Sequence, residues 1–212
     1  MTPSPPRLFL LSPASTSGLR AAMLLREGAR FDLALRLRDR GAPIGEVFAF
    51  LSGLYFRGKL AYARRFAPEA SYVITSCSGL LSTEEIVRHR DLRRFARVPI
   101  APDEPRYRRP LSRDARRLRD AIPEDAPVVL LGSIATEKYC GVLLDVFGRR
   151  LRFPADFVGR GDMSRGGLLL RAARAGEELA YVPVSDATRH GPRPARLDPR
   201  TRVRETAEPE RE

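Results

Sequence analysis

Four short apolar runs in this chain each stop at a small polar residue or glycine, and that punctuation limits the folds open to it. Leu8–Leu11 ends at Ser12 and Pro13, 46–51 at Ser52 and Gly53, Tyr72–Thr75 at Ser76–Gly79, and Val128–Leu131 at Gly132 and Ser133. Runs of four to six residues suit buried strands, and no run approaches the roughly 20 apolar residues that a membrane-spanning helix needs. The stretches between them carry helical spacing. They are expected as helices at Leu19–Leu24 (apolar at Leu19, Met23 and Leu24), Phe31–Arg38, Lys59–Phe66, from Thr83 as N-cap, Ser112–Ala121, through Tyr139–Val146, and Gly166–Arg174. Leu151–Phe153 and Tyr181–Val184 read as further strands, the last at a sheet edge because of Pro183.

Strands alternating with helices predict a single α/β domain over residues 1–185, with a mixed, mostly parallel sheet covered by helices. From residue 186 the chain is rich in Pro, Arg and Glu and poor in apolar residues, so 186–212 reads as a disordered tail. Cys77 and Cys140 lie far apart in sequence and belong to no metal or redox motif. With a Pro-rich start lacking a charged n-region, they read as reduced thiols of a cytosolic protein with no membrane partner.

The formal net charge is +12, and Lys59 and Lys138 are the only lysines, so nearly all the positive charge is arginine. Such a balance favours an anionic partner: DNA or other nucleic acid, nucleotide phosphate, or a membrane surface. The plain alternative is the Arg- and Ala-rich, Lys-poor composition of a GC-rich bacterial genome.

In open α/β sheets ligands bind outside the carboxyl ends of the strands. If the strands are parallel, the Ser and Gly loops converge on one edge, and Ser12, Gly132 and Ser133 become candidate binding residues. Gly159–Arg165 is the sharpest local feature. Arg160, Gly161, Ser164 and Arg165 there, with Ser164 as cap and Arg171 further along the helix, suit a phosphate at a helix start. Arg57, Gly58 and Lys59, with Tyr62 beyond them, form a basic helix start able to touch a phosphate or base. No catalytic set stands out. His89 and His190 lack metal-ligand spacing, no phosphate-loop, dinucleotide or nucleophile-elbow motif is present, and neither a metal nor a cofactor is expected. Cys77 is a possible nucleophile in a loop after a strand, more simply a small buried residue. Asp162 and Glu46 are carboxylates near candidate loops, without an assignable pairing.

Leu10–Thr16 (LLSPAST) resembles the "ISPAKT" start of the YaaA-like peroxide-stress family. Phe56–Tyr62 is similar to its "FKGDVY" stretch, Val129–Tyr139 to "INLASxEY" and Arg160–Arg165 to "ARGLMSR", all in the same order. The Ser76–Leu81 loop stands where the family has "LSGLYG". The sequence departs from the pattern at Ser15, where the family has Lys, and at Lys59, where it has Asp. The resemblance implies a cytosolic DNA-binding protein that limits oxidative damage, with distant similarity to nucleobase-modifying and glycosylase-like α/β domains. Beside it stand two other expectations: an enzyme acting on a nucleobase or nucleotide through a Ser/Gly/Arg pocket, and a non-catalytic partner-binding module using Arg88–Arg119.

Overall fold

The computed structural model describes residues 7–189 together with Gly191, Pro192, Pro194 and Leu197. Its centre is a six-stranded sheet. In chain order the strands are β1 (Leu8–Leu11), β3 (Ser71–Ile74), β4 (Leu80–Ser82), β6 (Val128–Leu131), β7 (Leu151–Pro154) and β8 (Tyr181–Pro183), while β2 (Ala42–Pro43) and β5 (Ile86–Val87) form a separate antiparallel pair. They lie side by side as β4-β3-β1-β6-β7-β8. β1, β3, β6 and β7 are parallel, and β4 and β8 close the two edges antiparallel. β1 and β6 are buried at every residue, as central strands covered on both faces must be. The fold is therefore an α/β domain with a mostly parallel mixed sheet, and Pro183 does lie on an edge strand.

From β1 the chain moves outward to β3 and β4, then crosses back to β6 on the other flank of β1 and continues to β7 and β8. The sheet thus has a topological switch point between β1 and β6. The helices fall into two groups. α3 (Ile44–Ser52) packs on α4 (Leu54–Phe66), and α4 on α8 (Asp162–Ala175); α6 (Pro105–Ala121) packs on α7 (Glu137–Phe147). The right-handed crossover preference puts these groups on opposite faces of the sheet. Among the described residues no helix is long and apolar enough to cross a membrane.

Several expectations about local structure are corrected. α4 begins at Leu54 rather than Lys59, so Arg57, Gly58 and Lys59 lie within the helix and do not form its start. Residues 46–51 are not a strand: they lie in α3, where Ile44, Val47, Phe48 and Leu51 recur at helical spacing and are buried. A short run with five apolar residues, 47–51 behind Glu46, fits either element, and here tertiary bonds decide. The first amides of α3 are satisfied by the turn before the short strand β5 (Ile86–Val87), with Ile44 N donating to Glu85 O (2.8 Å) and Gly45 N to Thr83 O (2.9 Å). Thr83 therefore caps no helix. It lies fully buried in that turn, and the next helix, α5 (His89–Ala96), begins after Arg88, whose N–H the Asp91 carboxylate accepts at 2.9 Å.

α8 starts four residues before Gly166, so Ser164 lies inside its first turn rather than at its cap; the cap residue is Gly161. Gly166 is internal because α8 meets α4 there: a Cβ on Gly58 would stand 2.6 Å from Gly166 O, and one on Gly166 would stand 2.8 Å from Leu54 O. The helix α1 (Leu19–Leu25) buries Ala21 and Leu24, whereas Leu19 and Met23 are exposed. α6 also begins earlier than expected, at Pro105 behind Glu104, because a proline at the first helical position lacks only an N–H that would be unpaired anyway.

The tail expected from 186 falls, beyond its first residues, mostly outside the described residues, as does His190. Its described start is attached to the domain. Asp186 accepts two hydrogen bonds from Arg149 (3.0 and 2.7 Å), and Arg189 pairs with Glu137.

Candidate functional site

The carboxyl ends of β1 and β6 open into a cleft of about 290 Å³ at the switch point. Ser12, the first residue past β1, continues the ladder by donating its N–H to Leu131 O (3.2 Å), which fixes its side chain at the cleft wall. Behind it, Gly132 follows β6. A Cβ there would lie 2.8 Å from Ser12 Cβ and 3.0 Å from Ser12 Oγ, so glycine is what leaves room for the hydroxyl. Ser133, next in the chain, lines the cleft and accepts a bond from Ala135 N (3.3 Å).

Opposite Ser12 stands Lys59. Tyr55, Phe56, Lys59, Tyr62 and Ala63 share the buried face of α4, and this helical repeat carries a lysine into the interior at 1% exposure. Its ammonium donates to Ser12 Oγ (2.7 Å) and Ser12 O (2.9 Å) and sits 4.0 Å from the centre of the Tyr55 ring. Neither oxygen is charged. Burial disfavours the ammonium and lowers its pKa from 10.5 to about 7; the negative charge of Asp162 opposes the shift, and nearby Arg165 adds to it.

Asp162, the first residue of α8, is exposed and lines the cleft. Tyr139, early in α7, lines it as well, and its hydroxyl is pushed up to about 12 by burial and then by Asp162. Tyr55 Oη is the only buried side-chain polar atom among the described residues that lacks a partner at hydrogen-bond geometry, although the Arg165 guanidinium lies close enough to interact with it. Burial raises the pKa of Tyr55, so its hydroxyl is neutral and able to donate.

The structure thus gathers Ser12, Lys59 and Ser133 into one cleft, with Gly132 supporting Ser12. Ser52 joins them from the α3–α4 junction rather than from a strand end. The remaining candidates lie elsewhere. Gly58 forms the α4–α8 contact, and Arg57 is exposed beside Arg20 in a separate surface hollow. Arg160 donates to Asp156 O (2.9 Å) and Ser164 Oγ (3.2 Å), and Gly161 caps α8. Arg165 donates to Phe157 O (3.2 and 3.1 Å) and lies over the Phe157 ring, so this guanidinium braces the loop before α8. Arg171 lies further along α8 and is not among the cleft residues. Glu46 pairs with Arg36, His89 Nε2 meets Leu25 O at 3.2 Å, and the half-buried Cys77 does not line the cleft.

Sequence reasoning passed over Tyr55 and Tyr139. Tyr55 had a usable signal, since it stands one helical turn before Lys59; for Tyr139 the signal was its place at the end of the segment similar to "INLASxEY", while its position at the cleft depends on how α7 docks. Among the described residues no three His, Cys, Asp or Glu side chains cluster as metal ligands. No protein-family model, curated protein or solved structure matches the chain, so what the cleft can do follows from its own geometry.

Proposed function

We propose that the switch-point cleft is the active site of an enzyme acting on a nucleoside or nucleotide, with Lys59 as its proton-transfer group. The observation that carries this reading is the burial of Lys59 on a cleft wall, with only the neutral oxygens of Ser12 to bond it. Burying an ammonium without a contacting carboxylate costs several kcal/mol, a cost that a methionine of similar length would avoid. An amine that is part protonated near neutral pH is, in contrast, well matched to proton transfer. Ser12 Oγ accepts a bond from the ammonium and donates one to the free amine, so the pair holds a proton in either state. Asp162 and the hydroxyls of Ser15, Ser52 and Ser133 suit the hydroxyl groups of a ribose.

The test is a thermal-shift and calorimetric screen of nucleosides and mononucleotides at pH 7, on wild type and Lys59→Met. Saturable binding that the variant loses supports the reading. Equal binding to both proteins, or none to either, sinks it.

A second reading keeps the DNA-binding role that the family resemblance implies. Its supporting observation is α6, which exposes Arg109, Arg113 and Arg116 on one face, beside Arg108, around an open groove. Duplex binding that weakens steeply with salt, and that Arg109→Glu/Arg116→Glu abolishes, would favour it. Salt-insensitive or mutation-insensitive binding would count against it.

A further inference from the structure

The Lys59 chamber adjoins a second hollow at Tyr139. Pro13, Ala14, Ser15 and Tyr139 also line that hollow, of about 500 Å³, so the two share a wall made by the β1–α1 loop and the start of α7. The chemistry changes across that wall. The chamber holds the ammonium of Lys59, the Asp162 carboxylate and several hydroxyls. The second hollow has no carboxylate; Phe95, Val98, Pro99 and Ile100 line it together with hydroxyls of the β1–α1 loop, and Lys138 stands at its exposed rim.

We propose that this second hollow is the base subsite of the same ligand: a planar nitrogenous base lies along Val98 and Ile100 while the sugar enters the Lys59 chamber. The proposal rests on the nucleotide reading of that chamber. Three physical points carry it. The two hollows adjoin across that wall, so one ligand reaching over it can occupy both. An apolar wall suits the face of an aromatic ring, and the hydroxyls of Thr16 and Ser17, which both donate and accept, suit its edge. The walls are also held in advance. Ser76 Oγ donates to Phe95 O (2.8 Å), tying the end of α5 to the end of β3, and Tyr107 Oη donates to Lys138 O (2.7 Å), tying the start of α7 to α6. A preformed slot loses less on binding than one that must be ordered. Because hydroxyls rotate to suit either partner, the slot reads the face of a base more than its edge, and purines and pyrimidines differ there mainly through contact area.

Calorimetry on the full chain tests this with ribose 5-phosphate and the four common ribonucleoside 5′-monophosphates as probes. For wild type the nucleotides are expected to bind about tenfold tighter than ribose 5-phosphate, the increment typical of one stacked base. Ile100→Asp, at a half-buried position, removes that increment and leaves ribose 5-phosphate affinity unchanged. Thr16→Trp, which fills the slot from the loop side, does the same and guards against misfolding of the first variant. Lys59→Met weakens both kinds of probe. Nucleotides binding no tighter than ribose 5-phosphate would overturn the base subsite and leave the chamber reading intact. An equal loss of both kinds of probe in Ile100→Asp and in Thr16→Trp would overturn it too. Failure of every probe to bind wild type would overturn both.

Discussion

Lys59→Met should change how stability depends on pH. In wild type the unfolded chain holds the Lys59 proton up to about 10.5, whereas the folded chain releases it near 7, because burial disfavours the ammonium. Between those values the unfolded state binds more protons, so stability rises with pH by about 1.4 kcal/mol per pH unit. Below pH 7 both states are protonated, and the full cost of charge burial, about 5 kcal/mol, is present and constant. Between pH 6 and pH 9 wild type should therefore gain about 2–3 kcal/mol relative to the variant. For a chain of this size that corresponds to about 5–10 °C in Tm. Methionine keeps the length and apolar character of the stem but has no proton to lose. Every other titrating group is common to both proteins, so their difference isolates Lys59. The assay is urea denaturation at pH 6, 7.5 and 9, followed by circular dichroism. Parallel pH curves for the two proteins would show that the amine is solvated or charge-paired in solution, and the argument for a poised proton-transfer group would fall with it.

Three further outcomes are expected. Ser12→Ala leaves the ammonium with one carbonyl acceptor and should cost about 1.5–3 kcal/mol at pH 6, where Lys59 is charged; the cost should shrink at pH 10, and a pH-independent loss would assign Ser12 to packing alone. Tyr55→Phe removes a buried hydroxyl without a partner at hydrogen-bond geometry, so Tm should stay level or rise, by up to about 1–2 kcal/mol of stability; a fall of that size would mean the hydroxyl is bonded. Gly58→Ala brings a methyl group to 2.6 Å from Gly166 O, and because backbone must yield, a loss of about 1–3 kcal/mol is expected. The same shift moves the start of α8, so Asp162 should be displaced and nucleotide affinity should fall with stability. Unaltered affinity in a destabilised variant would separate α8 from the cleft.

The runs at 8–11, 72–75 and 128–131 were legible as strands because three or four consecutive apolar residues need cover on both faces, which an inner sheet position supplies. The α/β class and the edge position of Pro183 followed from the same local chemistry, as did the value of hydroxyls at strand ends. The run at 46–51 was not legible, since its five apolar residues satisfy either a strand or a helix; the carbonyls of Thr83 and Glu85, distant in sequence, accepted the α3 amides and settled it. Arg160 and Arg165 carried the right charge for an anion site, yet nearby carbonyls of Asp156 and Phe157 hold their guanidinium groups. Lys59 was visible as a basic residue on a helix, and Tyr55, Phe56, Tyr62 and Ala63 at helical spacing place it on an apolar face, but how deeply that face is buried is not a local property. That depended on α4 docking against β1, which sets the ammonium on Ser12, 47 residues away in the chain. Local sequence fixes what each segment can bond and cover. Which groups lose water, and so which lysine is driven towards its neutral form, is settled only when distant segments meet.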